Sequence, residues 1–291
     1  MESADTKLIS SEFNLKEKEI QQAYSFQNVV TEEFIKLDPS KTNLDFYTDI
    51  DNVTRFLIAR DFKVPKALEM WKKWYNWRIT YRADAIQESE IENELKSGKA
   101  FWYGRNKLNH PCLIVKTRRH FPSESSVDQT IRFGVYTIEK GVNLMKEVGT
   151  SQVCVIWDRE GFDQKKNFDK SILTVMKQLV GILQDFYAER LEQVYILKPN
   201  WFFKMIFGLI KPFLSDKTKN KVKLINKNEE LLNYFEPENL LQEYGGASKF
   251  EYSWPPDSSP IKDYFVSATS DDIEDENIEK EIEKESKDLL N

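Results

Sequence analysis

The residue types that most often carry catalysis or metal binding are scarce in this chain. It has two histidines, His110 and His120, and two cysteines, Cys112 and Cys154, among 291 residues. His110, Cys112 and His120 could approach one metal ion, but their spacing matches no standard zinc site. The sequence contains no GxSxG, GxGxxG, GxxxxGK[ST] or HExxH motif. We therefore predict no catalytic residues, no metal site and no cofactor, and we expect a protein that is not an enzyme.

The sequence also indicates in which cellular compartment we expect the protein. Both cysteines lie inside apolar runs, as buried reduced thiols do in reducing compartments. The first residues, MESADTKLIS, have neither the basic nor the apolar region of a secretory signal. The most apolar window, residues 201–214, contains Lys204, Lys211 and Pro212 and is shorter than the roughly 18 apolar residues that span a bilayer. We expect a cytoplasmic protein without a membrane-spanning helix.

Negative charge is concentrated near the carboxyl terminus. The formal net charge is −6, and residues 267–291 carry ten acidic residues and three lysines, so the remaining chain is close to +1. Nucleic-acid binding needs a strong basic excess on one face, and we expect no nucleic-acid partner. The acidic residues follow a Pro- and Ser-rich segment, SWPPDSSP. Residues 253–291 are therefore predicted to be a linker and a disordered tail, through which a protein partner could bind.

The first part of the chain has helical periodicity without strand alternation. Residues 13–26, 29–35, 53–59 and 65–81 are predicted to be helices, the last with proline in its favoured first turn. Apolar residues repeat along that helix every three or four positions, which predicts a buried stripe. Its members are Ala67, Met70, Trp71, Trp74 and Trp77. Residues 1–84 are predicted to form an amino-terminal helical subdomain.

The pattern changes near residue 100 to short apolar runs separated by long amphipathic stretches. The runs, at residues 112–116, 153–157, 194–197 and 222–225, have the length and composition of strands buried on both faces. Long helices are predicted between them at residues 126–148 and 169–191, and shorter ones at 229–235 and 238–244. This alternation is typical of an α/β unit with a mostly parallel sheet, which we assign to residues 85–252.

One segment of this unit is unusual. Residues 202–210 are predicted to be a helix that is hydrophobic on nearly every side, between a Pro-Asn turn and a Lys-Pro step. Such a helix must be buried, lie in a membrane, or cover something apolar. A ligand cavity beneath it is a serious alternative to simple burial.

Together these segments resemble the CRAL-TRIO lipid-binding family, and within it the yeast-type phosphatidylinositol and phosphatidylcholine transfer proteins. The similarity extends from about residue 52 to residue 246. It is carried by RFLIARDFKVPKALEMWKKWYNWR, GRNKLNHPCLIVK, VCVIWDREGF, and FYAERLEQVYIL followed by NWFF and IKPFLSDKTKNKV.

The resemblance implies a bowl whose sheet forms the floor of an apolar pocket for one lipid, most readily phosphatidylinositol. A gate helix would close the pocket, with Trp201, Phe202, Phe203, Phe207 and Ile210 as its apolar residues. The motif positions that hold the inositide head group in the family are occupied here by Arg60, Glu189, Thr218 and Lys221. The chemistry agrees, since a lysine and a hydroxyl suit phosphate oxygens and a carboxylate suits ring hydroxyls. A monomer in transient contact with membranes is expected.

Some residues depart from the family pattern and keep alternatives open. Asp61 follows the signature arginine where a basic residue is frequent, and Ala188 replaces a proline. Asp163 and Lys165 stand where phosphatidylcholine binders carry small hydroxyl residues. The protein could therefore carry another apolar ligand, such as a sterol, a tocopherol or another phospholipid. It could also be a lipid-sensing regulatory module without net transfer, and the four polar residues could be ordinary surface and turn residues.

Overall fold

The amino-terminal helices pack around an aromatic core. A computed structural model describes residues 13–255 of the chain. In this part of it, α1 (Glu17–Leu37), α2 (Leu44–Tyr47), α3 (Ile50–Ala59) and α4 (Val64–Tyr81) follow one another. The two predicted helices at 13–26 and 29–35 are one continuous helix, since neither glycine nor proline interrupts residues 27 and 28. The other two predicted helices are confirmed within a few residues.

Trp71 is central to this aromatic core. It is fully buried, and its indole nitrogen donates a hydrogen bond of 2.9 Å to the carbonyl oxygen of Tyr47. The predicted stripe on α4 is confirmed for Ala67, Met70, Trp71 and Trp74. Trp77 is only partly buried and stacks on Phe186 at 4.4 Å between ring centroids. This stacking joins the helical subdomain to the rest of the protein.

A five-stranded sheet forms the centre of the second part of residues 13–255. Its order is β1 (Ala100–Arg105), β2 (Pro111–Lys116), β3 (Val153–Asp158), β4 (Leu191–Leu197) and β5 (Val222–Ile225). β1 is antiparallel to β2, and the remaining neighbours are parallel. The four predicted strands are confirmed, whereas β1 was not predicted.

β1 depends on a contact that the local sequence does not reveal. Its Gly104 has φ +65°, and a Cβ at this position would lie 2.2 Å from the carbonyl oxygen of Asn239. Only glycine tolerates both the left-handed backbone and this close approach. The strand therefore has a glycine next to its last residue because a segment more than a hundred residues away passes directly over it.

Helices and helical turns cover the sheet. They are α5 (Glu92–Ser97), α6 (Val127–Glu147), α7 (Gln164–Asn167), α8 (Ser171–Phe186), α9 (Trp201–Ile210) and α10 (Asp216–Asn220). α6 begins at the predicted capping box, in which the Ser126 side chain accepts from the backbone nitrogen of Gln129. The prediction of a helix to residue 191 was wrong, because α8 ends at Phe186 and Glu189 adopts φ +58° before β4. The predicted helices at 229–235 and 238–244 are short 3₁₀ turns.

The two faces of the sheet are packed differently. One face is dry and packs against the 3₁₀ turns near the carboxyl end of residues 13–255. Cys112 and Cys154 lie opposite each other on this face, both free and buried, and burial raises the pKa of the Cys154 thiol well above its usual value. The other face is packed in part, by a buried cluster of Trp102, Leu113, Leu144, Met145 and Val153 between the sheet and α6. Val155, which packs against this cluster, and Trp157, two residues further along the central strand β3, are only partly buried. Strands flank β3 on both sides, so solvent reaches these two residues through the face of the sheet.

Most of the predicted carboxyl-terminal segment lies outside the residues that the structure describes. The predicted linker and acidic tail at 253–291 fall outside the described residues from 256 onward. Within residues 13–255, no helix is both long and apolar enough to cross a bilayer.

Replacing Trp71 by alanine tests the aromatic core. We expect Trp71→Ala to lower the free energy of unfolding by about 3–5 kcal/mol, because the surrounding rings cannot fill the cavity. Trp201 is 68% exposed, so Trp201→Ala should change it by less than about 0.5 kcal/mol. Urea denaturation followed by circular dichroism measures both values, and similar losses in the two variants would contradict the packing described.

Candidate functional site

A buried arginine connects the helical subdomain to the sheet. The side chain of Arg55 on α3 is 1% exposed. Its guanidinium binds both carboxylate oxygens of Asp51, one turn earlier on the helix, at 3.0 and 3.1 Å. It also donates to the carbonyl oxygens of Ser151, at 2.6 Å, and Glu189, at 2.8 Å. These two residues precede β3 and β4, so one side chain fixes α3 against the start of both strands.

A second arginine completes this junction. Arg190 donates to the side-chain oxygen of Asn52 at 3.1 Å and lies 4.0 Å from the Asp51 carboxylate. Burial lowers the pKa of Arg190 to about 10, and the neighbouring Arg55 adds to this effect. Burial alone would raise the pKa of Asp51, but Arg55 and Arg190 outweigh it and the net shift is downward. The Asp51 carboxylate is therefore ionised and holds two cations at the base of α3.

The carboxylate of Glu189 projects from this fixed backbone into a cluster of charges. Its Oε1 lies 3.5 Å from Nζ of Lys217, and its side chain is 16% exposed. Lys217 also approaches the carbonyl oxygen of Ile58 at the end of α3, at 3.5 Å. Lys221 donates to the carbonyl oxygen of Leu191. Glu189, Lys217 and Lys221 form what we call the edge cluster, at the amino-terminal edge of β4 and β5.

Lys221 is the more buried lysine of the edge cluster. Burial lowers its pKa, while the nearby carboxylates of Glu189 and Glu192 act in the opposite direction. An ammonium group in this position gains from a further negative partner, because the desolvation has already taken place. A phosphate oxygen is such a partner.

Thr218 lies beside the edge cluster. Its backbone nitrogen donates to the hydroxyl of Ser215 at 3.1 Å, in the cap of α10, and the two hydroxyl groups are 2.8 Å apart. Glu189 and Lys221 thus lie on neighbouring segments, and Thr218 lies three residues before Lys221. The Thr218 hydroxyl is bound to Ser215 and does not contact Glu189 or Lys221 among the described hydrogen bonds.

Arg60 is placed apart from the other three predicted residues. Its guanidinium donates to the carbonyl oxygen of Ala59 at 3.0 Å, and within residues 13–255 it forms no hydrogen bond or ion pair with Glu189, Thr218 or Lys221. The arginine that contacts Glu189 is Arg55. Asp61 is exposed and lies 3.8 Å from Lys63, so its negative charge is directed towards solvent.

Arg55 and Lys217 are the residues that the sequence interpretation missed. The i, i+4 spacing of Asp51 and Arg55 on a helix was the available signal for the first. Lys217 lies next to Thr218 in the polar segment SDKTKNK, where three lysines alternate with other residues and nothing local distinguishes one of them.

The predicted gate helix is α9, which begins after a cap in which the Asn200 side chain accepts from the nitrogen of Phe203 at 2.9 Å. Its apolar residues divide between two sides. Phe202, Phe203, Ile206 and Ile210 are buried. The outer side carries Trp201, 68% exposed, Met205, 47%, and Leu209, 51%, and Phe213 follows at 47%. Phe207 is partly buried and stacks on Phe203 at 5.5 Å.

The carboxyl end of α9 is tied to α8 by one side chain. Gln184 donates to the carbonyl oxygen of Phe213 at 2.6 Å and accepts from the backbone nitrogen of Ser215 at 2.9 Å. The backbone just after α9 is therefore held by both the amino group and the carbonyl oxygen of the Gln184 side chain.

Partly buried apolar residues lie on the side of the sheet that faces α6, α8 and α9, and we call the region between them the apolar space. Val155, Trp157 and Val194 are such residues on neighbouring strands, and Val155 also packs against the buried cluster that contains Leu113 and Leu144. α8 packs mainly against α6, α4 and α9, and Val175 is its one fully buried residue although most of its sequence, SILTVMKQLVGILQDF, is apolar. Apolar residues that are close to one another but incompletely buried are typical of the lining of a ligand site.

Residues 13–255 contain no group of three His, Cys, Asp or Glu side chains that could hold a metal ion. His120 is instead paired with Lys99 at 3.1 Å, and burial lowers its pKa to about 4.

The fold and this site define the class of protein. Residues 95–246, about half of the chain, match the model of the CRAL/TRIO domain. The chain belongs to the CRAL/TRIO domain family, as the resemblance had indicated.

Individual relatives agree with this assignment. A CRAL-TRIO domain-containing protein of Schizosaccharomyces pombe is 29% identical over 210 residues, covering 69% of this chain and 46% of that protein. Patellin-6 of Arabidopsis thaliana is 27% identical over 210 residues, covering 67% and 50%. The phosphatidylinositol/phosphatidylcholine transfer protein SFH12 of the same plant is 28% identical over 224 residues, covering 69% and 40%. The chain thus spans half or less of the length of these relatives.

A solved structure confirms the fold. The crystal structure of Sfh5 superposes with a TM-score of 0.66 over 91% of this chain and 98% of that chain, at 16% sequence identity. The α/β architecture with a helical amino-terminal part and a mostly parallel sheet is therefore shared, at an identity that carries no information on the ligand.

The two arginines of α3 provide a matched test of the junction. We expect Arg55→Met to lower the free energy of unfolding by about 3–5 kcal/mol, because it leaves the Asp51 carboxylate and two buried carbonyl oxygens without their main donor. Arg60→Met removes an equal charge five residues away and should change it by less than about 0.5 kcal/mol. Chemical denaturation compares the two, and an equal effect would show that Arg55 does not hold the junction.

Proposed function

We propose that the protein binds one phospholipid molecule between the sheet, α8 and α9 and exchanges it with membranes, with phosphatidylinositol as the favoured ligand. The observation that carries this proposal is the position of the edge cluster beside a space with apolar walls. A phospholipid needs a polar environment for its head group directly beside an apolar environment for its hydrocarbon chains.

The edge cluster suits an inositol phosphodiester. Lys221 and Lys217 offer ammonium groups to phosphate oxygens, and the Glu189 carboxylate accepts hydrogen bonds from ring hydroxyls. The Thr218 hydroxyl, now paired with Ser215, can rotate to donate to the same phosphate. Arg60 is the weakest member of the predicted set, because reaching the other three requires its side chain to leave the end of α3.

The apolar walls explain how exchange becomes feasible. A lipid with two chains has about 30 methylene groups, and at about 0.8 kcal/mol each its transfer from membrane to water costs on the order of 20 kcal/mol or more. A protein cavity that replaces the bilayer makes the exchange nearly neutral. The rate then depends on how α9 opens while the protein touches a membrane.

The outer side of α9 provides a surface for that contact. Trp201, Met205, Leu209 and Phe213 are exposed, and Lys204 and Lys211 are exposed among them. Aromatic and aliphatic side chains insert at the level of the lipid head groups, and lysines meet anionic lipids there. This arrangement supports a cytoplasmic protein that associates peripherally with membranes as a monomer.

Relatives support a role in lipid transfer. Two of them are named phosphatidylinositol/phosphatidylcholine transfer proteins, SFH7 and SFH12. We extend this activity to the present chain on the basis of the edge cluster and the apolar space, and we propose a binding and exchange protein that is not an enzyme.

A different apolar ligand is the second candidate. Asp163 caps α7 by accepting from the backbone nitrogens of Lys165, at 2.8 Å, and Lys166, at 3.3 Å, and both Asp163 and Lys165 are exposed. This segment therefore offers no small hydroxyl residues to a choline head group. A regulatory module without net transfer is the third candidate, and its proposed contact, the acidic tail, lies outside the described residues.

Two substitutions in the edge cluster test the inositide assignment. We expect Glu189→Ala and Lys221→Ala each to reduce phosphatidylinositol transfer about tenfold or more, because each removes a charge-assisted hydrogen bond of roughly 1.5–3 kcal/mol. Lys223→Ala, which changes an exposed lysine on β5 two residues after Lys221, serves as the control and should transfer normally. Transfer of radiolabelled phosphatidylinositol between vesicles gives the rates, and wild-type rates in both variants would remove the assignment.

The outer side of α9 can be tested separately from the ligand site. We expect the double variant Trp201→Asp, Leu209→Asp to reduce vesicle binding and the exchange of every lipid, while lipid that co-purifies with the protein stays bound. Leu108→Asp, 64% exposed and distant in sequence from α9, is the matched control. Vesicle co-sedimentation and native mass spectrometry measure the two properties, and unaltered vesicle binding would exclude this surface as the membrane contact.

A further inference from the structure

Three buried N–H groups near α9 have no hydrogen-bond partner within residues 13–255. Two belong to the guanidinium of Arg159, at Nε and Nη2, and the third is the indole Nε1 of Trp157. Buried donors are almost always paired in proteins, and a charged one without a partner is especially unfavourable. These groups are not part of the edge cluster, and the site described above uses only the apolar surface of the Trp157 ring, not its N–H group.

Both residues are directed towards the apolar space. Trp157 lies on the partly buried face of β3, and Arg159 follows immediately after the strand. The guanidinium carbon of Arg159 is 4.5 Å from the ring centre of Phe162 and 5.1 Å from that of Phe203. Phe203 is on the buried side of α9. The cation is therefore held between two aromatic rings beneath α9.

The carboxylates close to Arg159 in sequence are all engaged elsewhere. Asp158 faces the dry side of the sheet, where its Oδ2 binds Arg118 at 2.5 Å and the hydroxyl of Tyr244 at 3.0 Å. Glu160 binds Lys198 at 2.6 Å, and Asp163 caps α7. Burial without a compensating acid lowers the pKa of Arg159 to about 10, which leaves it charged at neutral pH.

Cation–π contacts compensate this charge incompletely. They contribute roughly 0.5–2 kcal/mol, whereas full burial of an ion without its counterion costs several kcal/mol. Arg159 bears part of that cost, because the residue is partly buried and two of its nitrogens are removed from water. A planar guanidinium edge together with an indole N–H is a donor set suited to the oxygens of a carboxylate or a phosphate.

We propose that Arg159 and Trp157 bind the oxyanion head of a lipid that carries a carboxylate or a phosphate monoester and no cationic group. The inference rests on the proposed function, because it places the chains of that lipid in the same apolar space. A choline head group would bring a second cation to Arg159 and is disfavoured. The protein therefore selects an acidic lipid as its second ligand.

This oxyanion site is separate from the edge cluster. Leu191, at the start of β4, pairs with Val153, six positions before Arg159. At about 3.3 Å per residue the two sites lie about 20 Å apart. The edge cluster lies at the amino-terminal ends of the parallel strands, and Arg159 lies at their carboxyl ends. A lipid bound through Arg159 would thus enter the space with its head at the opposite edge from a bound inositide.

Lipid loading from mixed vesicles tests the proposal. The full chain is incubated with phosphatidylcholine vesicles that contain phosphatidylinositol and either dioleoyl phosphatidic acid or oleate, and bound lipid is identified by native mass spectrometry. We expect the wild type to take up an acidic lipid in preference to phosphatidylcholine. Arg159→Met should reduce that preference at least tenfold, and Trp157→Phe should reduce it less. Lys198→Met removes a neighbouring exposed charge and should behave as the wild type.

A structural role for Arg159 predicts a different result. Because the cation has no carboxylate partner, Arg159→Met should leave the melting temperature of the delipidated protein unchanged or raise it. Arg159→Lys keeps the charge but loses the planar edge, and it should still lose most of the preference. A lowered melting temperature with an unchanged lipid preference would overturn the proposal.

The remaining outcomes separate this inference from the proposed function. Normal phosphatidylinositol exchange with no effect of Arg159→Met on the acidic lipids would reject the oxyanion site alone. Uptake of no lipid by the wild type would reject the proposed function itself. Binding of inorganic phosphate that depends on Arg159, without uptake of an acidic lipid, would replace the lipid by a free anion and overturn the proposal.

Discussion

The buried guanidinium of Arg55 is the interaction on which the arrangement of the protein depends. It joins α3 to the segments that begin β3 and β4, and it is neutralised by Asp51 on its own helix. Breaking such a buried pair is far more costly than losing a surface ion pair, because the partner left behind remains desolvated. The carbonyl oxygen that Arg55 holds belongs to Glu189, whose φ of +58° is unfavourable for a residue with a side chain. The structural anchor thus also fixes the backbone of the proposed head-group site.

The sheet separates stability from ligand binding through the alternation of its side chains. Cys154, Ile156 and Asp158 of β3 are buried on the dry face, while Val155 and Trp157 between them face the apolar space. One face is therefore packed as a core, while the other is packed against α6 near Leu113 and Leu144 and is only partly covered at Trp157.

Most of the architecture could be predicted from the sequence, whereas the contacts between distant segments could not. Four strands and the helix α9 could be predicted from local apolar runs. The CRAL-TRIO resemblance predicted how these elements are arranged in the fold. β1 was not predicted because its backbone at Gly104 packs closely against Asn239, and no local pattern in the sequence indicates that contact. Arg60 was chosen over Arg55 on motif position, although five residues rotate a helix by about 140° and direct the two arginines to different sides. The charge of Arg159 was visible in the sequence, but its lack of a carboxylate partner is a property of the folded state.

The Gln184 side chain gives α9 a mechanical asymmetry. Both ends of its amide hold the chain just after α9, at Phe213 and Ser215, whereas the start of the helix is held by the Asn200 cap and by aromatic contacts. A rigid rod that is hinged at one end moves furthest at the other, so a small rotation about Gln184 displaces Trp201 most. The lever arm is the length of the helix, about 15 Å for ten residues. Trp201, the most exposed of the large apolar residues of the helix, therefore lies where a force from outside acts with the greatest torque.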